Sequence, residues 1–178
     1  MKAFTLLELI VTIAVLSILL AVAVPSMQPL LSRNHLKAAA GALAEDLQWT
    51  RSEALKRNND LYVTFDTSEW CYGIDEASGC DCTVSSPTGT DACALTTAGS
   101  EVLKVTSHSS FADTNLSAIT FSGSPPSTGF EPRRGTATSA GSVTFQSSEG
   151  ADLKVLLSIM GRVRICSPSD NVPGYPGC

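Results

Sequence analysis

The sequence predicts an α+β fold, in which a long N-terminal α-helix with a membrane half and an amphipathic half packs on a small head of antiparallel β-strands. Three observations predict it: residues 4–24 are almost wholly apolar, residues 25–58 follow a helical period, and within residues 59–178 the period changes to two. A chain of 178 residues has room for one domain and an appendage.

Composition narrows the possible functions. The chain is 43% apolar and 16% charged, which excludes a disordered protein. Its formal net charge of −5 argues against a nucleic-acid binder that uses its whole surface, although a local basic patch is compatible with it. Because the apolar residues are concentrated near the N-terminus, the composition indicates an exported or membrane-tethered chain.

The apolar run of residues 4–24 contains one charged side chain, that of Glu8. A helix of this length spans about 31 Å, close to the hydrocarbon thickness of a bilayer. We therefore expect a retained membrane helix; the alternatives are a buried helix of a soluble protein and a secretory signal cleaved after Ala23. Glu8 argues against the signal, and because a carboxylate in lipid costs on the order of a few kcal/mol unless it is paired, Glu8 is a candidate functional residue.

The start of this run carries a family resemblance. The segment Ala3-Phe4-Thr5-Leu6-Leu7-Glu8-Leu9 resembles the class III signal of type IV pilins and type II secretion pseudopilins, with alanine at position 3 where the family usually has glycine. The resemblance implies that prepilin peptidase cuts between Ala3 and Phe4, removes the leader of residues 1–3 and methylates the new amino group. The other implied partners are the inner membrane and further major and minor pilins, whose N-terminal amine would neutralise Glu8 of a neighbouring subunit.

Residues 25–58 form the predicted amphipathic half of the helix. Pro25 and Pro29 each remove a backbone donor, so we expect a bend where the helix leaves the membrane. The helix should end near Asn58 and Asn59. An apolar stripe at helical spacing predicts the face that packs on the head. Its members are Leu36, Ala40, Leu43, Leu47 and Ala54.

Alternating apolar and polar residues predict seven short strands in the head. Loops rich in Gly, Ser, Thr and Pro separate them, notably residues 85–99 and 122–129. One long helix followed by short strands is typical of an α+β fold with antiparallel sheets. The predicted strands are residues 61–65, 70–74, 101–105, 116–121, 142–146, 153–158 and 162–166.

Four further segments resemble the FimT/FimU and GspH group of minor pilins and pseudopilins, whereas residues 71–121 carry no resemblance. The segments read Ala44-Glu45-Asp46-Leu47-Gln48, Arg51-Ser52-Glu53-Ala54-Leu55-Lys56-Arg57, Phe130-Glu131-Pro132-Arg133-Arg134-Gly135 and Gly161-Arg162-Val163-Arg164-Ile165-Cys166. The resemblance implies a pilin-like fold and a minor pilin with a single membrane helix and a periplasmic head. Such a subunit assembles into a type IV pilus or primes its assembly, at or near the filament tip. The resemblance leaves open a pseudopilin of a type II secretion system, which exports proteins.

Six cysteines in the head predict disulfides and therefore an oxidising compartment, such as the periplasm or the cell exterior. We expect Cys166 to pair with Cys178, because this bond would hold the Pro- and Gly-rich tail on the last strand. The other four would pair among themselves, with a bond between Cys80 and Cys82 disfavoured by geometry. The alternative is a zinc site built from these four thiolates, for which the C-x-C spacing is poor. The four are Cys71, Cys80, Cys82 and Cys93.

The sequence carries no catalytic motif: G-x-S-x-G, G-x-x-x-x-G-K-[ST] and H-E-x-x-H are all absent. We interpret His35 and His108, which are far apart in sequence, as solvated surface residues. Asp75, Glu76 and Asp81 lack the alternation of a calcium-binding loop and are interpreted as a solvated acidic loop. We therefore predict a protein that is not an enzyme and that holds neither a cofactor nor a metal.

Charge is divided unevenly within the head. Residues 59–128, the acidic half, carry nine acidic side chains and one lysine, a balance of −8; residues 129–178, the basic half, carry five basic and four acidic side chains, a balance of +1. Strand alternation predicts Arg162 and Arg164 on one face and Val163 on the other, and Gly161 permits a tight turn or a close backbone approach. Because neighbouring guanidiniums repel, such a face binds anions or pairs with carboxylates.

The segment Gly161-Arg162-Val163-Arg164 resembles the C-terminal Gly-Arg-x-Arg element through which FimT-type members of naturally competent bacteria bind DNA. The resemblance implies a DNA receptor for transformation, assisted by Arg133 and Arg134. Its partner would be double-stranded DNA, contacted through phosphates without sequence preference and more weakly at high salt. The alternative is that Arg162 and Arg164 serve contacts within the filament.

Overall fold

The computed structural model describes residues 6–178, except for the side chains of residues 22–26. The predicted leader and cleavage site, Ala3 and Phe4, lie outside the described residues. The first element is a single helix, α1 (Leu6–Arg57), which stays helical through Pro25 and Pro29. The predicted long N-terminal helix is therefore confirmed.

The side chains of residues 6–21, in the first half of α1, are all exposed. Leu6, Ile10, Leu16 and Leu20 are each more than half exposed. Among the described residues, none of the helical stretches combines the length and the apolarity of a membrane span. The span predicted at residues 4–24 falls partly outside them, at residues 4 and 5 and at the side chains of residues 22–24.

The second half of α1 is buried on the head along the predicted stripe. Leu36, Ala40, Leu43, Leu47 and Ala54 are all at most 1% exposed. The helix ends as predicted, since Asn58 takes a left-handed conformation (φ 52°) and the Asn59 amide donates to the carbonyl of Ala54 at 3.3 Å. A left-handed residue just after the last turn is a common helix terminator, and asparagine tolerates it.

The head consists of two four-stranded antiparallel sheets and a separate hairpin. The first sheet has the strand order β5-β2-β1-β7, the second has the order β10-β9-β8-β6, and β3 pairs with β4. The strands are β1 (Leu61–Asp66), β2 (Cys71–Asp75), β3 (Ala94–Thr97), β4 (Ser100–Leu103), β5 (Val105–Ser107), β6 (Thr114–Ile119), β7 (Ser127–Phe130), β8 (Gly141–Ser147), β9 (Asp152–Leu157) and β10 (Val163–Cys166). A short 3₁₀ turn occupies His108–Ser110. This architecture confirms the predicted α+β fold.

Three strand predictions differ from the structure. The predicted loop 85–99 contains β3, and the predicted loop 122–129 contains most of β7. Both strands are short: β3 pairs with β4 in a tight hairpin, and β7 pairs with β1, which is distant in sequence. The single strand predicted at residues 101–105 is divided at Lys104, whose amide donates to the carbonyl of Cys93 and whose carbonyl accepts from the amide of Ile74, both at 2.9 Å. As a result, β4 pairs with β3 in the hairpin, whereas β5 pairs with β2 in the first sheet.

One hydrophobic core lies between α1 and the two sheets. Its largest fully buried side chains include Phe65 and Tyr72 from the first sheet and Phe145 and Leu153 from the second. The core begins at Leu36 of α1, so the first half of the helix takes no part in it. Burial of both sheets on one helix therefore fixes the head as a unit.

Three disulfides tie the loops of the head together, and disulfide formation agrees with the prediction. Cys166 is bonded to Cys178, as expected from the tail, and the tail also docks through the Ser167 amide, which donates to the carbonyl of Pro176 at 2.9 Å. The other two bonds use the four sulfurs that the zinc alternative requires as thiolates. They join Cys71 to Cys82 and Cys80 to Cys93.

Candidate functional site

The first part of the site is the hairpin tip, residues 158–162, which joins β9 to β10. Its backbone is closed by two hydrogen bonds: the Ser158 amide donates to the carbonyl of Arg162 at 3.0 Å, and the Gly161 amide donates to the carbonyl of Ser158 at 2.8 Å. Arg162, the last residue of the tip, and Arg164 of β10 are exposed, whereas Val163 between them is half-buried against the core. The two arginines therefore share the outer face of β10, as strand alternation predicts.

The second part is the arginine turn, residues 131–136, which follows β7. The Gly135 amide donates to the carbonyl of Glu131 and the Glu131 amide donates to the carbonyl of Thr136, both at 2.9 Å. The Glu131 carboxylate also accepts a hydrogen bond from the Thr136 hydroxyl at 3.0 Å. Arg133 and Arg134 are exposed at the outside of this turn.

The structure brings the arginine turn and the hairpin tip together. Gly161 has a φ of +74°, and a Cβ placed on it would lie 2.4 Å from the carbonyl oxygen of Gly135. The Ala137 amide adds a hydrogen bond to the carbonyl of Ile159 at 2.9 Å. Gly161 thus provides both a left-handed turn and a close backbone approach, which a larger residue would prevent.

Arg51 of α1 joins the same contact, and sequence reasoning missed its role. Its Nε donates to the carbonyl oxygen of Gly135 at 2.8 Å, and the Arg51 side chain is half-buried there. In the sequence, residues 51–57 carry only a family resemblance. No local pattern indicates that the Arg51 side chain reaches residue 135. Only the fold shows that a helical side chain touches both turns.

The arginines of the two turns lack ion-pair partners within the part of the chain that the structure describes. The ion pairs found there join Glu53 to Lys56 (3.3 Å), Glu53 to Arg57 (2.7 Å) and Arg57 to Glu76 (3.7 Å). Beside β10 lies an open groove of about 520 Å³, which includes Arg162, Arg164 and the 68%-exposed side chain of Met160. Cationic groups that no carboxylate neutralises make this surface suited to bind an anion.

The second candidate site is the exposed first half of α1. Glu8 lies on it, exposed and surrounded along the helix by exposed apolar side chains such as Leu7 and Leu9. Apolar surface of this extent is stable only when it is covered by lipid or by other helices.

Two sequence families match the chain. Residues 1–24 match the prokaryotic N-terminal methylation motif, and residues 39–161 match the family described as type II transport protein GspH. The second match covers well over half of the chain. The chain belongs to the GspH family. It is a minor pilin or pseudopilin, a structural subunit and not an enzyme, and its methylation motif implies processing by prepilin peptidase and assembly with other pilins.

Solved structures resemble this GspH-family chain in fold. The minor pseudopilin EpsH of the type 2 secretion system of Vibrio cholerae aligns with a TM-score of 0.52 and 12% identity, over 76% of this chain and 99% of that one. The type IV minor pilin FimU of Pseudomonas aeruginosa aligns with a TM-score of 0.48 and 18% identity, over 80% of this chain and 96% of that one. No curated protein matches the chain significantly in sequence.

The extent of the GspH match bears on the site. It includes residues 71–121, where the sequence by itself shows no resemblance, and it includes Arg133 and Arg134. It ends at Gly161, so Arg162 and Arg164 lie beyond the matched residues. The family match therefore identifies the subunit, but it covers only part of the arginine surface, which consists of Arg133, Arg134, Arg162 and Arg164.

The remaining candidate residues of this GspH-family chain form no joint site. His108 is exposed, with its ring edge-on to that of Trp70 at a centroid distance of 5.9 Å. His35 is half-buried, and its buried Nδ1 has no hydrogen-bond partner among the described residues, so the prediction of a solvated residue is wrong for His35. Among the described residues, no three His, Cys, Asp or Glu side chains are grouped to hold a metal. Asp81 instead accepts hydrogen bonds from the amide and hydroxyl of Thr83, which lower its pKa.

Proposed function

We propose that this GspH-family chain is a minor pilin of a type IV pilus. It is cleaved between Ala3 and Phe4, held in the inner membrane by residues 4–24 with its head in the periplasm, and then assembled at or near the filament tip. The observation that carries the proposal is the exposed apolar surface of α1 before Ser32, outside the core of the head. Lipid covers this surface before assembly, and the helices of other pilins cover it afterwards.

Glu8 sets the register of this assembly in the proposal. A carboxylate among apolar side chains is costly in lipid or in a helix bundle unless a positive group lies beside it. The N-terminal amine of Phe4 in a neighbouring subunit supplies that charge after cleavage. Because the pair forms only at one axial offset between two helices, it selects a position as well as stabilising the contact.

The test exchanges Glu8 for alanine in the full chain and measures how much of it is found in sheared filaments. We expect Glu8→Ala to be nearly absent from filaments although it is present in the membrane. Glu45→Ala is the matched control, because Glu45 is an exposed carboxylate on the same helix. Incorporation of Glu8→Ala at the level of Glu45→Ala would contradict the pairing proposal.

The placement of the arginine surface supports a position at the tip. At the end of the head nearest the first half of α1, the Ser32 hydroxyl lies 3.4 Å from that of Ser148, whereas the arginine turn contacts Arg51. With a rise of 1.5 Å per residue, the two contacts lie about 28 Å apart along α1. The arginines, which have no ion-pair partners among the described residues, therefore lie at the end of the head that points away from the anchor, the end that a tip subunit exposes in this proposal.

The second candidate is a pseudopilin of a type II secretion system. The description of the matching family favours it, and the same fold serves both machines. Deleting the gene distinguishes the candidates: loss of surface pili with normal protein export supports the pilin, and the opposite result supports the pseudopilin. Neighbouring genes for other pilins or for a secretion operon provide an independent reading.

The third candidate, a role as DNA receptor during transformation, rests on the four exposed arginines that have no ion-pair partners within the described part of the chain. Guanidiniums contact phosphates through paired hydrogen bonds, and such binding weakens steeply as salt is raised. We expect the full chain in detergent to bind duplex DNA at low salt, and Arg162→Ala with Arg164→Ala to weaken it on the order of tenfold or more. Absence of salt-sensitive binding by the parent chain would end this proposal.

A further inference from the structure

The arginine turn and the hairpin tip interlock around one side chain of α1. Arg51 donates from Nε to the carbonyl oxygen of Gly135 at 2.8 Å, and a Cβ placed on Gly135 would lie 2.9 Å from that same Nε. A Cβ placed on Gly161 would lie 3.0 Å from it. Arg51 thus packs against both glycines, and at Gly161 the nearby Gly135 carbonyl leaves no room for a side chain.

Two further features define the geometry of this contact. Both glycines have left-handed φ values, +63° for Gly135 and +74° for Gly161, which fix the direction of each turn. The hydrogen bond from the Ala137 amide to the Ile159 carbonyl ties the segments that follow and precede them. The two turns therefore have one relative arrangement in the folded head, and Arg51 holds it on the helix.

We propose that the arginine turn and the hairpin tip form one preassembled surface for the phosphate backbone of duplex DNA, and that Arg51 is the positioning residue that keeps the two turns in register. The proposal rests on the DNA-receptor function proposed above. The phosphates are contacted by Arg133 and Arg134 of the arginine turn, by Arg162 at the end of the hairpin tip and by Arg164, which follows it in β10. Arg51 acts through the carbonyl of Gly135 and not through a phosphate.

The physical reason is the conformational freedom that long arginine side chains lose on binding when the turns that carry them move independently. Phosphates follow each other at fixed spacing along a strand, so arginines on two independent turns would have to find their positions separately. If the two turns already hold a fixed relative position, this conformational freedom is not lost during binding. The affinity for DNA then improves without a new contact.

The test separates the position of Arg51 from its charge. In glutamine, Nε2 is the same number of bonds from Cα as Nε is in arginine, so Arg51→Gln retains a donor for the Gly135 carbonyl and loses the positive charge. Arg51→Ala loses both. We compare both variants with the parent as full chains in detergent, binding a mixed-sequence duplex at low and physiological salt.

We expect Arg51→Ala to weaken duplex binding about three- to tenfold, the range set by one ordinary hydrogen bond, and Arg51→Gln to retain most of the affinity. Lys56→Ala is the matched control: it removes a positive charge from the same helix, and Lys56 contacts Glu53 and neither turn. We expect Lys56→Ala to bind as the parent does at physiological salt.

Amide exchange without DNA tests the positioning role by itself. We expect Arg51→Ala to speed exchange at Gly135, Ala137 and Gly161 at least several-fold. The turn closed by the Gly150 amide and the Ser147 carbonyl, at 3.0 Å, should exchange as in the parent because it lies at the other end of the head.

Each outcome decides between the two proposals. If the parent binds DNA and Arg51→Ala binds equally well, the positioning proposal is overturned and the DNA receptor stands. If Arg51→Gln binds as weakly as Arg51→Ala while exchange at the turns stays slow in both, Arg51 acts by charge and the positioning proposal is again overturned. If the parent shows no salt-sensitive binding, both proposals are overturned. Loss of binding with faster exchange in Arg51→Ala, and neither change in Arg51→Gln, supports both.

Discussion

The acidic and basic halves of the head make different polar contacts with the same helix, although α1 also donates to the acidic half, from Arg57 to the carbonyl of Thr96 at 2.8 Å. In the acidic half, the Tyr72 hydroxyl donates to the Asp46 carboxylate of α1 at 2.7 Å. In the basic half the helix is the donor, with Arg51 bonding the Gly135 carbonyl at 2.8 Å. The Arg51 guanidinium is thus bonded to a backbone carbonyl, and the arginines of the basic half remain exposed to solvent. The comparison shows how a chain with a net negative charge keeps a basic surface.

The halves also differ in what stabilises their loops. The four cysteines of the acidic half form a buried cluster of their own, with Val105 packed on it, apart from the main core. The basic half packs β8 and β9 directly into the main core, and its disulfide ties only the tail to β10. Loops of the acidic half therefore depend on covalent bonds more than the strands of the basic half do.

The largest effect we predict tests this dependence. Cys80→Ala together with Cys93→Ala opens a loop of sequence separation 13 and should lower the free energy of unfolding by about 3 kcal/mol, measured by denaturant titration. The matched variant, Cys166→Ala with Cys178→Ala, opens a separation of 12. We expect it to cost less, because the tail contributes only Val172 and Tyr175 to the main core. An equal cost would contradict the comparison.

Sequence reasoning located the helix and the strands of the basic half closely. The stripe from Leu36 to Ala54 is buried as predicted, and β8, β9 and β10 each lie within one residue of the predicted bounds, because strong periodicity accompanies their burial. It missed β7 because Ser127–Phe130 alternates weakly. There Gly129 lets the ring of Tyr62 cross the strand, since a Cβ on Gly129 would lie 2.6 Å from it, and such a contact is visible only in three dimensions.

The candidate site shows the same limit. Strand alternation places Arg162 and Arg164 on the outer face of β10, and the structure has both exposed. The contact between Arg51 and Gly135 joins residues 84 positions apart, and no local spacing encodes it. Local patterns therefore predict which side chains face outward, whereas the relation between two turns depends on the packed fold.

A smaller effect sharpens the comparison at the helix. Tyr72 is 1% exposed, and burial, followed by the charge of Asp46, raises the pKa of its phenol well above its usual range. Tyr72→Phe removes a hydrogen bond to a carboxylate and should lower the free energy of unfolding by about 1–2 kcal/mol. Tyr62→Phe is the control, because within the described residues the Tyr62 hydroxyl has no hydrogen-bond partner. Equal stability of the two variants would show that the Asp46 contact does not hold the acidic half.

The smallest effect concerns Asp75 at the end of β2. Acidic groups are crowded in this half of the head, and their effect on the free energy of unfolding has a sign that can be measured there. Burial raises the pKa of Asp75 above its ordinary 3.8, and the neighbouring carboxylates of Glu76 and Glu101 add to the rise. Because the folded state holds the proton more tightly than the unfolded chain, the ionised carboxylate destabilises the fold at neutral pH. Asp75→Asn should therefore raise the free energy of unfolding at pH 7, by at most about 0.5 kcal/mol.

The pH dependence of the two acidic side chains distinguishes this cause from simple loss of a contact. The gain from Asp75→Asn should vanish below pH 3.8, where both states of the parent are protonated. Glu53 is the control of opposite sign, since its hydrogen bond from Arg57 lowers its pKa below the ordinary 4.5 and stabilises the fold above that value. Glu53→Gln should therefore be less stable than the parent at pH 7, and this loss should fade as the pH falls through the lowered pKa. If Asp75→Asn were destabilising at pH 7, the hydrogen bond that the Asp75 carboxylate accepts from the Glu76 amide, and not the charge of Asp75, would dominate at that position.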